Sequence, residues 1–158
     1  MTIFKLPKMN ELEIKNLLAQ QNLCRIAFKG SAHPYIAPFQ YIVMNETLYF
    51  HFTDYGKKMR LLDKDKRVCV EVETYRPDLS DYKFVVIRGE LELVKDPYER
   101  AEAIHRIANE GNQKLSINFL AAHGLTKEEG WDSLTPERPM VIVKLNQVTE
   151  KIGLKSPQ

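Results

Sequence analysis

Apolar positions along the chain change period several times, and each change marks an element. Leu12, Ile14, Leu17 and Leu18 form a helical stripe preceded by Asn10, with Glu13 three residues on, which predicts a capped helix over about Glu11–Gln21. Leu23–Phe28 reads as a strand that ends at Lys29-Gly30-Ser31, and Tyr35–Met44 as a longer one pairing with it. Asn45-Glu46 makes a tight connection into a third strand, Thr47–Phe52, so the chain opens with an antiparallel meander. Lys57–Asp63 places Met59, Leu61 and Leu62 on one side of a short helix. Val68–Thr74 alternates apolar and acidic residues, with Glu71 and Glu73 on one face, and Lys83–Val94 is a long strand with a bend expected at Arg88-Gly89.

Asp96-Pro97 opens a helix with a cap and a proline at its first position, carrying Ala101, Ala103, Ile104, Ile107 and Ala108; Gly111 is expected to end it. Leu115–His123 predicts another helical piece, and Gly124–Pro139 an irregular stretch around Trp131. Met140–Leu145 returns as a strand that continues through Val148–Ile152. About six strands with short links, and helices between only some of them, predict a mainly β (α+β) fold: a split antiparallel barrel with peripheral helices, which also hides its sheet edges. No repeat or biased tract divides the 158 residues, so residues 1–158 read as one domain.

Charge narrows the function. A net charge of +2, dispersed along the chain, argues against a nucleic-acid or anionic-membrane partner. Cys24 and Cys69 lie in strand patterns without metal-ligand spacing, which suits buried thiols in a reducing compartment. With no apolar run of membrane-spanning length and no cleavage-site pattern at the N-terminus, a cytoplasmic protein is expected.

Chemistry concentrates between Tyr49 and Leu62. A strand stops, Gly56 intervenes, and Lys57-Lys58 opens a helix, the combination that brings free backbone N–H groups, a positive helix end and two ammonium groups to one place. A phosphate fits such a cradle; a solvated turn is the plainer alternative. Pro38 cannot donate to a ladder, so the second strand is an edge or a bulge there, and Gln40 on the same side offers a donor and an acceptor. Arg25, inside the first strand, calls for an anionic partner: a ligand, or a surface carboxylate. Of the histidines, His33 reads as an exposed turn residue, His105 as part of an amphipathic helix, and His123 as a helix C-terminal cation, whereas His51 stands at the end of the strand leading into the cradle.

The succession CRIAF, HPYIAPFQYIV, LYFHFTDYGKK, KRVCVEVE, FVVIRGELELV and MVIVKLNQVTEKIGLKS resembles the pyridoxamine 5′-phosphate oxidase-like family of FMN-binding split barrels, nearest its nitroimidazole-resistance branch. The resemblance implies a homodimer with FMN in a cleft between subunits. By position, Lys57 and Lys58 would contact the phosphate with Arg25 as a third cation; Pro38, Phe39, Gln40 and Tyr41 would line the flavin ring; Thr53 and Gly56 would shape the turn; Arg88 would support the site or the interface; and His51 would lie beside the flavin, as a proton donor to substrate or as a structural hydrogen-bonding group. Oxidases proper carry S-R-K where this chain has Gly56-Lys57-Lys58, and their basic C-terminal substrate segment has no counterpart, which argues against pyridoxamine phosphate as substrate. The expected function is a flavin-dependent oxidoreductase reducing a small molecule, nitroreductase-like, with an external electron donor. Without a G-x-G-x-x-G segment, a nicotinamide dinucleotide would dock only transiently. The alternative is a non-enzymatic flavin- or haem-binding protein.

Overall fold

The computed structural model describes all residues, Met1–Gln158. Helix α1 (Glu11–Gln20) begins as its sequence predicts: Asn10 accepts from the Glu13 amide while the Glu13 carboxylate accepts from the Asn10 amide. Strands β1 (Leu23–Phe28), β2 (Tyr35–Met44) and β3 (Thr47–Phe52) form the meander. At its second turn Asn45 and Glu46 both hold positive φ, 51° and 63°, the backbone that a tight right-twisted hairpin demands. Helix α2 (Lys57–Lys64), strands β4 (Arg67–Tyr75) and β5 (Tyr82–Leu93), helix α3 (Pro97–Lys114) and strand β6 (Val141–Lys155) complete the chain, with 3₁₀ segments at Ile117–His123 and Trp131–Ser133. The barrel is closed and antiparallel in the order β1-β2-β3-β6-β5-β4.

Alternation along the strands sends one set of side chains inward. Ile26, Phe28, Phe39, Tyr41, Phe50, Phe52, Val70 and Ile87 fill the barrel, into which Leu17 and Leu18 of α1 also pack. Helix α2 adds Leu62, with Met59 and Leu61 half-buried against the same core. A second core forms outside the barrel. Ile42, Met44, Tyr49 and Ile142 face outward and are covered by Ala103, Ile104 and Ile107 of α3 together with Leu120, Leu125 and Trp131. Arg100 locks this layer by donating to the carbonyls of Pro136, Arg138 and Met140.

Two expectations about glycine have different outcomes. The bend at Arg88-Gly89 is present as a register shift between Arg88 and Glu90 against β6. Gly111, in contrast, does not end α3, which runs on to Lys114. Its role is a close approach: a Cβ built there would lie 2.3 Å from the Trp131 ring. The glycine that reads as a stop is a seat for the indole.

Gly111→Ala tests this seat. On an exposed helix the change would stabilise by up to about 1 kcal/mol, but overfilling a packed site costs about 1–3 kcal/mol. A lower urea midpoint, followed by Trp131 fluorescence, is the expected result. An unchanged or higher midpoint would show that the indole moves aside freely.

Candidate functional site

The pairing of β2 with β3 stops at Tyr41, so Tyr35–Gln40 has β1 on one side and no strand on the other. Pro38 sits in this open stretch, where its missing N–H disrupts no second ladder. The chain leaving β3 passes through a turn in which the Thr53 hydroxyl donates to the Tyr55 carbonyl, and then enters α2 beside the opening. Gly56, the N-cap, has φ 100° and ψ −177°, a backbone region open essentially to glycine alone. A Cβ there would meet nothing within 4 Å, so conformation and not space requires the glycine.

No side chain caps this helix start, which leaves first-turn N–H groups available. Neither lysine forms an ion pair; Lys57 Nζ lies 5.2 Å from the Tyr35 ring centre and Lys58 Nζ 5.2 Å from that of Phe39. Two ammonium groups rest on aromatic faces beside an uncapped helix start, and together they gather positive charge that no carboxylate neutralises.

Next to it is a pair of histidines. His51 Nδ1 and His123 Nδ1 are 2.8 Å apart, with ring centres at 5.1 Å and planes 25° from parallel. His123 Nε2 lies 2.7 Å from Gln40 Oε1, and Gln40 Nε2 donates to the Ile107 carbonyl at 3.2 Å. Phe119 and Trp131 meet the His123 ring edge-on. Burial lowers His51 to about 3, helped by neighbouring His123, Lys58 and Arg100, and lowers His123 to about 4, helped by Lys58. Both rings are neutral at pH 7.

The structure brings some predicted residues together and separates others. His51, Thr53, Gly56, Lys57, Lys58 and Pro38 gather around the opening. Phe39 and Tyr41 do not offer their side chains to a ligand: Phe39 stacks on Phe52 inside the barrel, and the Tyr41 hydroxyl donates to the Leu18 carbonyl. Strand alternation forces this, since Pro38 and Gln40 occupy the outer face. Gln40 is buried and fully engaged, not exposed to a flat ligand. Arg25 is on the outer face, held by Glu73 at 2.5 Å and Glu71 at 3.5 Å, so its charge is already paired. Arg88 lies 3.6 Å from Glu150 along an open groove of about 760 Å³ that also includes Ala27, Arg67 and Cys69.

His123 corrects the sequence reading most. Expected as a helix-end cation, it is 8% exposed and neutral, because the 3₁₀ turn places it under Trp131 against β2 and β3. His33 is exposed, as expected, and His105 is an exposed residue of the amphipathic α3. No local signal separates His123 from them; its partner Gln40 is 83 positions away.

Stability should carry the signature of these buried rings. Unfolded imidazoles protonate near pH 6.5, so between there and their folded values of about 3 and 4 the unfolded chain binds more protons. Their contribution is full above about pH 6.5 and is lost as pH falls through the folded values. Glu71 acts oppositely: burial and the Glu73 carboxyl raise it from 4.5 to about 7, so its contribution is full below 4.5 and lost as pH rises through about 7. In Glu71→Gln, which removes that opposing group, the urea midpoint should be lower at pH 5 than at pH 7. Adding His123→Phe should shrink the difference, and equal midpoints in Glu71→Gln itself would contradict burial of the neutral pair.

Comparison with solved structures agrees with the barrel. A FAD-binding protein from Mesorhizobium loti superposes with a TM-score of 0.69 at 19% identity over 98% of this chain and 100% of that one. A proposed 5-nitroimidazole antibiotic resistance protein from Bacteroides thetaiotaomicron gives 0.68 at 18% identity, over 98% and 92%. A FAD and haem binding protein from Mycobacterium smegmatis gives 0.66 at 12% identity, over 94% and 72%. No curated protein matches. Residues 10–139 match the family model described as pyridoxamine 5′-phosphate oxidase, and the chain, with its closed six-stranded antiparallel barrel, belongs to that family.

Proposed function

We propose that this chain is an FMN-binding oxidoreductase that works as a homodimer and reduces a small molecule with electrons from an external donor. The observation that carries this reading is the pair of unpaired ammonium groups, Lys57 and Lys58, at the uncapped start of α2 beside the open edge of β2. A flavin phosphate fits that site by charge and by the backbone at Gly56, and Lys57, Lys58 and the first-turn N–H groups would hold it. The bound flavin would supply the electron transfer. Pro38 and the exposed backbone beside it would orient the ring, and neutral His51 would meet the substrate. Arg25 and Arg88 have carboxylate partners and belong to the second part of the proposal, the subunit interface.

That interface is the barrel's outer face where α3 does not reach. Ile36 is 61% exposed and Ile152 40%, and Glu71 Oε1 is buried without a hydrogen bond, an arrangement suited to coverage by a second subunit. Structural likeness to a FAD-binding protein from Mesorhizobium and to a 5-nitroimidazole resistance protein from Bacteroides supports flavin binding and, for the substrate, a nitroimidazole-type compound. A nicotinamide dinucleotide is the proposed transient donor. No helix of the chain is long and apolar enough to cross a membrane, and we place the protein in the cytoplasm.

Replacing Lys57 and Lys58 together by Gln removes two charge-assisted contacts, each contributing about 1.5–3 kcal/mol. FMN affinity should fall by roughly a hundredfold or more, while riboflavin, which lacks the phosphate, should bind both proteins equally. Flavin fluorescence titration reads both. Equal losses for the two ligands, or none for FMN, would return Gly56-Lys57-Lys58 to a solvated turn.

Sedimentation at micromolar concentration should give a dimer, and Ile152→Glu should weaken it without unfolding the barrel. A parent protein that is monomeric with flavin fully bound would remove the site from any interface.

A further inference from the structure

The hydrogen bonds behind His51 run in one direction. The Ile107 carbonyl can only accept, so Gln40 meets it with its amide Nε2, at 3.2 Å. Gln40 therefore turns Oε1 toward His123, and the 2.7 Å contact makes His123 Nε2 the donor. A neutral imidazole carries a single ring proton, so His123 Nδ1 accepts, and His51 Nδ1, facing it at 2.8 Å, must donate. Reversing any link would set two oxygens, or two lone pairs, against each other. The second nitrogen of His51, Nε2, is left with a free lone pair; it has no protein partner and is not among the buried polar atoms.

The surroundings keep this arrangement neutral. Phe119 and Trp131 pack on the His123 ring, and Lys58 and Arg100 both oppose a positive charge on His51, while Asp54 and Arg138 line the cavity beside it. Burial and the Lys58 and Arg100 cations make a second proton on His51 unfavourable. Beside the ring is a small cavity of about 160 Å³ that includes Thr53, Asp54, Tyr55, Arg138 and Met140.

We propose that Gln40 and His123 are positioning residues that hold His51 as its Nδ1–H tautomer, so that the site recognises small molecules by an N–H or O–H donor placed against His51 Nε2. This deepens the reading above and rests on it for the location of the substrate. His51 is then an acceptor and not the proton donor that its position beside a flavin suggests. A nitro group has no proton to offer this nitrogen. On a nitroimidazole the recognised atom is a ring N–H, and the protons consumed in reduction come from solvent.

Long-range proton–nitrogen NMR of ¹⁵N-labelled protein at pH 7, with and without FMN, tests the tautomers directly. The expected spectrum shows His51 protonated at Nδ1 and bare at Nε2, and His123 protonated at Nε2 and bare at Nδ1. The opposite tautomer of His51, or an imidazolium at either residue, would overturn the proposal. Gln40→Leu should leave His51 as a mixture of tautomers; a folded variant with the parent tautomer would deny Gln40 its positioning role, and the parent spectrum remains decisive if the variant does not fold. Adding 2-methyl-5-nitroimidazole, which has a ring N–H, should move the His51 Nε2 resonance, with its N-methyl derivative about tenfold weaker. Equal responses, no response, or an equal shift from FMN alone would overturn the substrate assignment. A protein that binds no FMN by fluorescence yet shows the assigned tautomers would overturn the flavin reading and support this one.

Discussion

The hydrogen bond between Gln40 and His123 joins the only two buried residues of polar or charged type in the chain, and the site is built around it. A buried amide or imidazole without partners costs far more than its hydrogen bonds return in water, so each residue requires the other to be in place. Gln40 belongs to the barrel, His123 to the layer outside it, and the Ile107 carbonyl to α3. Their satisfaction fixes how that outer layer sits on β2 and β3, and with it the orientation of His51. The surrounding apolar contacts of Ile42, Ile104 and Leu120 supply adhesion without direction. The polar link adds the direction.

A second constraint is the early end of β2–β3 pairing. Because β3 leaves the ladder after Phe50, the first half of β2 keeps a free side, and α2 arrives there with its N-terminus and two lysines. Proline at position 38 is compatible with that free side and would be costly in a doubly paired strand. The unpaired lysines and the neutral histidine thus lie at one opening for a topological reason. Charge then divides the surface: Lys57 and Lys58 remain unpaired, whereas Arg25 and Arg88 are bound to carboxylates on the barrel's other outer face.

Local chemistry made much of this visible in the sequence. The Asn10–Glu13 cap, the Asp96-Pro97 helix start, the bend at Gly89 and the bounds of β1, β2 and β3 each follow from neighbouring residues, because caps, turns and alternation act over a few positions. Alternation also placed Phe39 and Tyr41 opposite Pro38 and Gln40; family likeness assigned all four to the ring, and the strand's two-residue period decides against the side chains of Phe39 and Tyr41. Gly56 was legible because its positive φ is a local requirement.

Tertiary structure alone decided the rest. His33, His105 and His123 differ little in local sequence, yet only His123 is folded under an indole and bonded to a residue 83 positions away. Gly111 has the sequence context of a helix stop, but the approach of Trp131 gives it another purpose. Arg25 could have met a phosphate or a carboxylate, and the register of β1 against β4 places Glu71 opposite it, with Glu73 in reach. Backbone form is set by steric and capping rules within a turn or two of chain. Burial, protonation and the direction of a hydrogen bond depend on partners that only the closed barrel brings together.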